Sequence, residues 1–208
     1  MVLTLPARAV MADCDGTLLE STAAQARAWS AWAKRHGVQP AAVLAADGLR
    51  ARDKIERFAP HLDADAAVDE IANAELQHAH EVRALPGALE LLTSPEPVAV
   101  VTSGTRALIL ARLAAAGLPR PSVLVTAEDV EAGKPAPCGY LLAAARLGRE
   151  PYRCDVLEDT PVGVRAGLDA GARVYAVATT CARHTLHEAH AVVADVAEYL
   201  KLRAIASA

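Results

Sequence analysis

Short apolar segments alternate with longer helix-forming segments along most of this chain. The apolar segments lie at residues 9–12, 97–101, 123–125, 156–157, 174–177 and 192–193. Helix-forming stretches separate several of them, at residues 106–116, 140–147 and 162–170. Strands that alternate with helices in this way are joined by right-handed crossovers and pair in parallel. We therefore predict an α/β fold with a doubly wound, Rossmann-like parallel sheet that helices cover on both faces.

One long interruption breaks this alternation after the first apolar segment. Residues 21–36 are rich in alanine, begin at Ser21 and end before Gly37, which predicts a helix. Residues 40–85 continue with helical patterning and contain no convincing strand. We therefore predict a core made of residues 1–18 and 86–208, with an inserted all-helical cap made of residues 19–85.

Composition restricts the partners of the chain. The formal net charge of -4 offers no basic face for a nucleic-acid backbone. Arg8, Asp13 and Asp15 interrupt the N-terminal apolar stretch, so neither a membrane span nor a signal peptide is expected. The four cysteines show no paired metal-ligand spacing, which is typical of free thiols in a reducing cytoplasm. We expect a cytoplasmic monomer without nucleic-acid or membrane partners.

Polar residues follow several of the predicted strands. Because ligands bind at the carboxyl ends of the strands in an open parallel sheet, we expect these residues to lie close together. The set consists of Asp13 and Asp15, of Thr102 with Ser103 and Gly104, of Lys134 between Gly133 and Pro135, and of Glu158 with Asp159.

This set of side chains suits phosphoryl transfer. Crowded carboxylates repel one another unless a cation lies between them, and ligands that are all oxygen favour Mg²⁺. Lys134, Thr102 and the backbone N–H groups near Gly104 suit the oxygens of a phosphoryl group. Asp13 at the strand end is the candidate nucleophile, and Asp15 is the candidate acid that protonates the leaving oxygen.

The segment Asp13-Cys14-Asp15-Gly16-Thr17-Leu18 resembles the D-x-D-G-T-L signature of the haloacid dehalogenase-like phosphatase superfamily. The polar groups after the later strands follow in that superfamily's order, so the resemblance spans nearly the whole chain. Residues 102–105, 126–137 and 158–167 are similar, more narrowly, to its sugar-phosphate and glycerol-phosphate phosphatases, a group that includes 2-deoxyglucose-6-phosphate phosphatases.

The resemblance implies a role for each matching residue. Asp13 would be nucleophile and metal ligand, while Asp15 would be acid and base with its backbone carbonyl on the metal. Thr102 and Lys134 would hold the phosphoryl group. The metal would be Mg²⁺, bound also by Asp159, with Glu158 close by or acting through a water. The implied substrate is a small phosphorylated metabolite: a sugar, sugar-alcohol or glycerol phosphate.

Substrate selection is expected in the cap and beside Thr102. Ser103 and Gly104 are expected to contact the phosphoryl group. Arg50 and Arg52 lie where related phosphatases place substrate-facing residues, although arginines at such positions are often solvated surface residues. Trp29 and Trp32 share one face of the first cap helix, a spacing that favours core packing over stacking on a sugar.

Two further hypotheses remain open from the sequence. A hexose-phosphate mutase of the same superfamily would use the same aspartate but would need to protect its phosphorylated form from water. A non-catalytic sensor that binds sugar phosphates would be expected to have lost Asp13 or Lys134, and this chain retains both.

Overall fold

Six parallel strands form the central sheet of the computed structural model, which describes residues 8–207. The strands are β1 (Ala9–Ala12), β4 (Val98–Val101), β5 (Val123–Val125), β6 (Cys154–Glu158), β7 (Arg173–Val177) and β8 (Ala191–Val193). Their order across the sheet is β5-β4-β1-β6-β7-β8. The chain thus builds one side of the sheet outward from β1 and then crosses to the other side, which confirms the predicted doubly wound topology.

The central strands are buried on both faces, because alternate side chains feed two separate apolar clusters. Val10 and Ala12 of β1 belong to one cluster, whereas Ala9 and Met11 belong to the other. On the first face the sheet is covered by α5 (Ala88–Leu92), α6 (Arg106–Ala115) and α9 (Val196–Ser207). On the second face it is covered by α7 (Cys138–Arg146) and α8 (Pro161–Asp169).

Residues 22–77, inserted between β1 and α5, contain four α-helices that form their own apolar cluster. They are α1 (Thr22–Arg35), α2 (Pro40–Leu44), α3 (Ala51–Phe58) and α4 (Ala64–Gln77), and we refer to them as the cap. Trp29 and Trp32 pack edge to face in this cluster, with ring centroids 5.5 Å apart, beside Ile55 and Ile71. The expectation that both tryptophans are core residues is therefore correct.

A short antiparallel pair, β2 (Leu19–Glu20) with β3 (Arg83–Ala84), lies where the chain leaves and re-enters the core. The backbone N–H of Leu85 donates to the carbonyl of Leu18 at 2.9 Å and extends this pairing. The sequence did not indicate these strands, because two residues are too short to show a period of two. The domain limits at residues 18 and 85 remain predictions.

Two helix starts show how local sequence acts here. Thr160 caps α8, because its hydroxyl accepts a hydrogen bond from the N–H of Gly163 at 3.3 Å, and Pro161 occupies the first turn. Ser21 precedes α1 as predicted but makes no capping bond, since its hydroxyl accepts instead from the side chain of Gln25 at 2.9 Å. Within residues 8–207, no helix combines the length and apolarity that crossing a bilayer requires.

Candidate active site

The carboxyl ends of three neighbouring strands, β4, β1 and β6, bring the predicted polar groups to one edge of the sheet. Asp13 directly follows β1, Thr102 directly follows β4, and Glu158 ends β6. Lys134 reaches the same point from the loop after β5. The predicted convergence of these residues is therefore present in the fold.

Lys134 lies between two buried carboxylates. Its Nζ contacts Oδ1 of Asp13 and lies 2.5 Å from Oε1 of Glu158. Burial acts to lower the pKa of Lys134, but the charges of Asp13 and Glu158 outweigh it and the pKa is raised. The amine is therefore held as a cation beside the candidate nucleophile.

Burial also raises the pKa of Asp13 well above its ordinary value. Lys134 opposes this rise, and the charges of Glu158 and Asp159 add to it. Such a carboxyl is costly to ionise in this pocket unless further positive charge is present.

Glu158 is completely buried and hydrogen-bonded through both carboxylate oxygens. Oε1 accepts from the phenol of Tyr140 at 2.7 Å, while Oε2 accepts from the N–H of Asp159 at 3.1 Å and the hydroxyl of Thr160 at 3.2 Å. Tyr140 was not singled out in the sequence, because a single tyrosine on the apolar face of a helix is typical of core packing.

Three buried carboxylates could hold a cation. Asp13, Glu158 and Asp159 each offer one oxygen, and these oxygens all lie within 4.8 Å of one another. Oδ1 of Asp159 is buried and has no hydrogen-bond partner among the described residues. Burial, followed by the charge of Glu158, raises the pKa of Asp159 well above its ordinary value. A crowded donor set made only of carboxylate oxygens, with Oδ1 of Asp159 unpartnered in the described part of the chain, fits a divalent cation such as Mg²⁺.

Asp15, which we also placed at the metal through its backbone carbonyl, has its side chain outside this carboxylate cluster. Its Oδ2 accepts a hydrogen bond from Arg112 at 3.0 Å, and Arg112 in turn donates to Glu75 of the cap at 3.1 Å. Oδ1 of Asp15 is buried without a partner in the described part of the chain. Neither Arg112 nor Glu75 was singled out in the sequence.

Gly16 allows the loop after β1 to approach the cluster. Its φ of +84° lies in the left-handed region, and a Cβ there would lie 1.9 Å from Oδ2 of Asp159. A side chain at this position would therefore displace Asp159, which explains physically why the motif has glycine here.

The residues after β4 connect to the cap. Thr102 is buried and its hydroxyl accepts from the N–H of Gly104 at 3.1 Å. The hydroxyl of Ser103 donates to the carbonyl of Gly48 in the cap at 2.7 Å. Contact of Thr102, Ser103 and Gly104 with substrate remains a prediction.

The two candidate arginines of the cap lie in different surroundings. Arg50 donates to both oxygens of Asp53, at 2.9 and 2.8 Å, and to the carbonyls of Val130 and Glu131 at 3.0 Å, so it ties the cap to the loop before Lys134. Arg52 is partly exposed and forms ion pairs with Asp65 and Glu56. Both line the cavity described next, and their substrate-binding role stays a prediction.

A cavity of about 240 Å³ lies between the cap and the carboxyl end of the sheet. Asp13, Asp15 and Thr102 lie at its core side, and Trp29 and Lys54 lie at its cap side. Other polar and apolar residues complete the lining, among them Gln25, Asp47, Val68, Ala72, Glu75 and Leu108. The site thus faces a partly open cavity of metabolite size, with polar groups contributed by the cap.

The sequence model for haloacid dehalogenase-like hydrolases matches residues 7–171. This chain belongs to that family. Hexitol phosphatase A of Escherichia coli is 46% identical over 173 residues, which are 79% of this chain and 80% of that protein. Glycerol-1-phosphate phosphohydrolase 2 of Saccharomyces cerevisiae is 32% identical over 193 residues, covering 86% of this chain and 77% of the yeast protein. The predicted family and the predicted enzyme class, a phosphoric monoester hydrolase, are thereby confirmed.

A solved structure supports the fold of this haloacid dehalogenase-like hydrolase. The crystal structure of a hydrolase from Pseudomonas syringae superposes with a TM-score of 0.85, covering 93% of this chain and 96% of the other. At 23% identity, this similarity establishes the architecture alone.

Proposed function

We propose that this hydrolase removes phosphate from a small polyhydroxylated phosphomonoester, through a phosphorylated Asp13 and with Mg²⁺ bound. The observation that carries the proposal is the contact of Lys134 with Asp13, which lines the cavity between the cap and the sheet. A carboxylate nucleophile and a fixed cation at one point are what transfer of a phosphoryl group to the protein requires.

The phosphoryl group would bind between Lys134 and Thr102. The ammonium of Lys134 would contact its peripheral oxygens and draw negative charge away from Asp13. Glu158, anchored by Tyr140, would keep that ammonium in place. This fixed positive charge is worth most in a site that excludes bulk water.

The first chemical step would join Asp13 to phosphorus. A bond forms between a carboxylate oxygen of Asp13 and phosphorus, while the bond from phosphorus to the ester oxygen breaks. Asp15 would give its proton to that departing oxygen, so that an alcohol leaves rather than an alkoxide. In the second step Asp15 would take a proton from water, whose oxygen attacks phosphorus and releases inorganic phosphate and free Asp13.

Asp13, Asp159 and Glu158 are the side chains that would hold the metal, together with the backbone carbonyl of Asp15. When bound, Mg²⁺ would neutralise charge on the carboxylates and on the phosphoryl oxygens.

The lining of the cap supports a substrate with several hydroxyl groups. Lys54 is 5% exposed, and its Nζ forms no hydrogen bond or ion pair within residues 8–207. It lies 4.9 Å from the centroid of the Trp29 ring. Burial lowers the pKa of Lys54, against the opposing charges of Asp47 and Glu75. A hydroxyl both donates and accepts, so a polyol can satisfy this ammonium and a neighbouring carboxylate together.

The relatives support the same substrate class, since their names specify phosphates of hexitol and glycerol as substrates. An additional carboxylate on the substrate would be repelled by Asp47 and Glu75. We therefore propose a sugar-alcohol, sugar or glycerol phosphate as substrate and a polyol phosphate as the preferred one.

A screen for phosphate release tests the proposal. Sorbitol 6-phosphate, glucose 6-phosphate and glycerol 1-phosphate are incubated with the protein and Mg²⁺, with Asp13→Asn as the reference. We expect release from the wild type and a loss of at least about 10³-fold in the variant. The variant should remain folded, because Lys134 keeps its contact with Glu158.

The same assay separates the competing hypotheses. A mutase would give an isomerised sugar phosphate in place of inorganic phosphate. A sensor would show a ligand-induced rise in melting temperature without any release. Full activity of Asp13→Asn would exclude Asp13 as the nucleophile.

A further inference from the structure

A buried arginine joins the candidate proton donor to the cap. Arg112 lies on α6 of the core and is 1% exposed. Its Nη1 donates to Oδ2 of Asp15 at 3.0 Å, and its Nη2 donates to Oε1 of Glu75 at 3.1 Å. Glu75 belongs to the cap helix α4 and is itself buried. One guanidinium therefore bridges two parts of the fold through two carboxylates.

The bridge restrains the side chain of Asp15. Oδ2 accepts from Arg112, and Oδ1 is buried with no partner among residues 8–207. Asp15 as a residue lines the cavity. The guanidinium makes one hydrogen bond to this carboxylate, from Nη1 to Oδ2, while its Nη2 is held by Glu75, and this contact restrains the position of Oδ2. Without it, Asp15 would be free to rotate away from the departing oxygen.

Charge explains why the arginine needs both partners. A buried guanidinium beside a single carboxylate retains donors that lack acceptors, and a buried carboxylate without a cation is costly. Glu75 supplies the second acceptor, for Nη2, whereas the buried Nε has no partner among the described residues. Burial raises the pKa of Glu75, with Arg112 opposing and the charge of Asp15 adding to the rise. The three side chains thus stabilise one another only when α4 lies against α6.

We propose that Arg112 is a positioning residue for Asp15 and that Glu75 of the cap holds Arg112 in place. The proton donor is then correctly oriented only while the cap covers the site. If the cap moves away, Arg112 loses one of its two anchors and Asp15 loses its fixed orientation. This inference rests on the proposed role of Asp15 as general acid.

Leaving-group dependence distinguishes positioning of the acid from other roles of Arg112. Glycerol 1-phosphate releases an alkoxide unless its oxygen is protonated, whereas acetyl phosphate releases acetate, which departs without a proton. The value of kcat/KM reports only steps up to the departure of the alcohol or acetate, so the second role of Asp15 as a base does not enter. The ratio of kcat/KM for the two substrates also cancels any inactive fraction of the sample.

Arg112→Gln is expected to lower kcat/KM for glycerol 1-phosphate at least tenfold more than for acetyl phosphate, as part of the 10²–10⁴-fold that a general acid typically contributes. Arg112→Lys keeps the positive charge but cannot donate to Asp15 and Glu75 from two separate nitrogens. Its ratio of kcat/KM values is expected to lie between those of the wild type and Arg112→Gln. The matched control is Arg106→Gln on the same helix. Arg106 pairs with Asp129 and does not contact Asp15, so the ratio should equal that of the wild type.

Glu75→Gln tests the part played by the cap. We expect its ratio to shift in the same direction as that of Arg112→Gln but by less. The double variant Glu75→Gln with Arg112→Gln should have the ratio of Arg112→Gln alone, since Glu75 acts through Arg112. Additive effects of the two substitutions would show that Glu75 acts separately and would overturn the role of the cap.

Asp15→Asn in the same assay separates this inference from the proposed function. If Asp15→Asn lowers kcat/KM equally for glycerol 1-phosphate and for acetyl phosphate, Asp15 is not a general acid and the proposed mechanism fails. Asp15→Asn could instead lower kcat/KM selectively for glycerol 1-phosphate while Arg112→Gln lowers kcat/KM equally for both substrates. In that case only the positioning role of Arg112 is overturned. Equal loss would then indicate that Arg112 binds the phosphoryl group or stabilises the fold.

Discussion

Gly163 and Glu158 are so close that a Cβ on Gly163 would lie 1.9 Å from the carboxylate carbon of Glu158. Gly163 lies in helix α8, where a glycine typically allows a helix to pack closely on a sheet. In the structure its absent side chain makes room for the carboxylate that holds Lys134. A glycine that reads as a packing residue therefore belongs to the candidate site.

Gly163→Ala is expected to destabilise the protein by about 1–3 kcal/mol through overpacking, although alanine favours helices by about 1 kcal/mol. It should also lower kcat/KM, because Glu158 must shift away from Lys134. Gly167→Ala is the control, since its Cβ would meet methyl groups of Val174 and Val156 at 2.9 and 3.0 Å. The control should lose stability and keep its kcat/KM. Urea unfolding and steady-state kinetics measure both effects, and unchanged values for Gly163→Ala would contradict the prediction.

Asp159→Asn should stabilise the metal-free protein, because it removes one charge from a crowded buried cluster. The pKa of Asp159 is raised in the folded protein, so its ionisation opposes folding as pH increases above the unfolded value of about 3.9. The difference in stability between metal-free Asp159→Asn and the metal-free wild type should therefore grow as pH rises. Added Mg²⁺ should raise the melting temperature of the wild type more than that of Asp159→Asn.

Thermal melts with EDTA and with Mg²⁺ measure these differences without any assay of activity. Glu188→Gln removes an exposed carboxylate and serves as the control for net charge. A metal-free Asp159→Asn protein that is less stable than the wild type at neutral pH would refute the crowding argument.

Asp155 lies near the start of β6, the strand that ends at Glu158, and has a structural role. Arg8 donates to its Oδ1 at 2.5 Å, Arg173 donates to both oxygens at 2.8 Å, and Tyr199 donates to Oδ2 at 2.9 Å. Burial acts to raise the pKa of Asp155, but the hydrogen bonds from Arg173 and Arg8 outweigh it and the pKa is lowered. Its contribution to stability is thus present above the unfolded pKa of about 3.9 and is lost as pH falls through the folded value.

Asp155→Asn should consequently cost about 3 kcal/mol at pH 7, and less at a pH near or below 3. Urea unfolding at the two pH values measures the change, and the exposed Asp169→Asn provides a control expected to stay within about 0.5 kcal/mol. An equal cost at both pH values would mean that ionisation of Asp155 contributes nothing.

The two carboxylates of β6, Asp155 and Glu158, also show which part of the fold could not be predicted from the sequence. For β1 and β5 the predicted and observed bounds agree, because both strands consist of apolar residues that are buried by their own composition. For β6 the prediction covered only residues 156–157 of Cys154–Glu158. Asp155 and Glu158 are charged, and their burial depends on Arg173 and Tyr140, which are distant in the sequence or on another element.

The same limit applies to the site. Asp13, Lys134 and Asp159 could be found because each follows a strand, and parallel strands bring their carboxyl ends together. Arg112 and Glu75 lie inside helices, where charged residues usually face water. Their pairing depends on how α4 meets α6, and no local pattern in either helix specifies that contact.

Lys54→Met tests whether the free ammonium in the cap recognises substrate hydroxyls. Methionine keeps much of the apolar contact with Trp29 but removes the donor, and a hydrogen bond to a charged group is worth about 1.5–3 kcal/mol. We therefore expect kcat/KM for sorbitol 6-phosphate to fall at least about tenfold more than for acetyl phosphate, which has no hydroxyl groups. Lys34→Met, on the exposed face of α1, is the control and should leave the ratio unchanged. If Lys54→Met lowers kcat/KM for both substrates by the same factor, Lys54 does not select the polyol and its burial serves the packing of the cap.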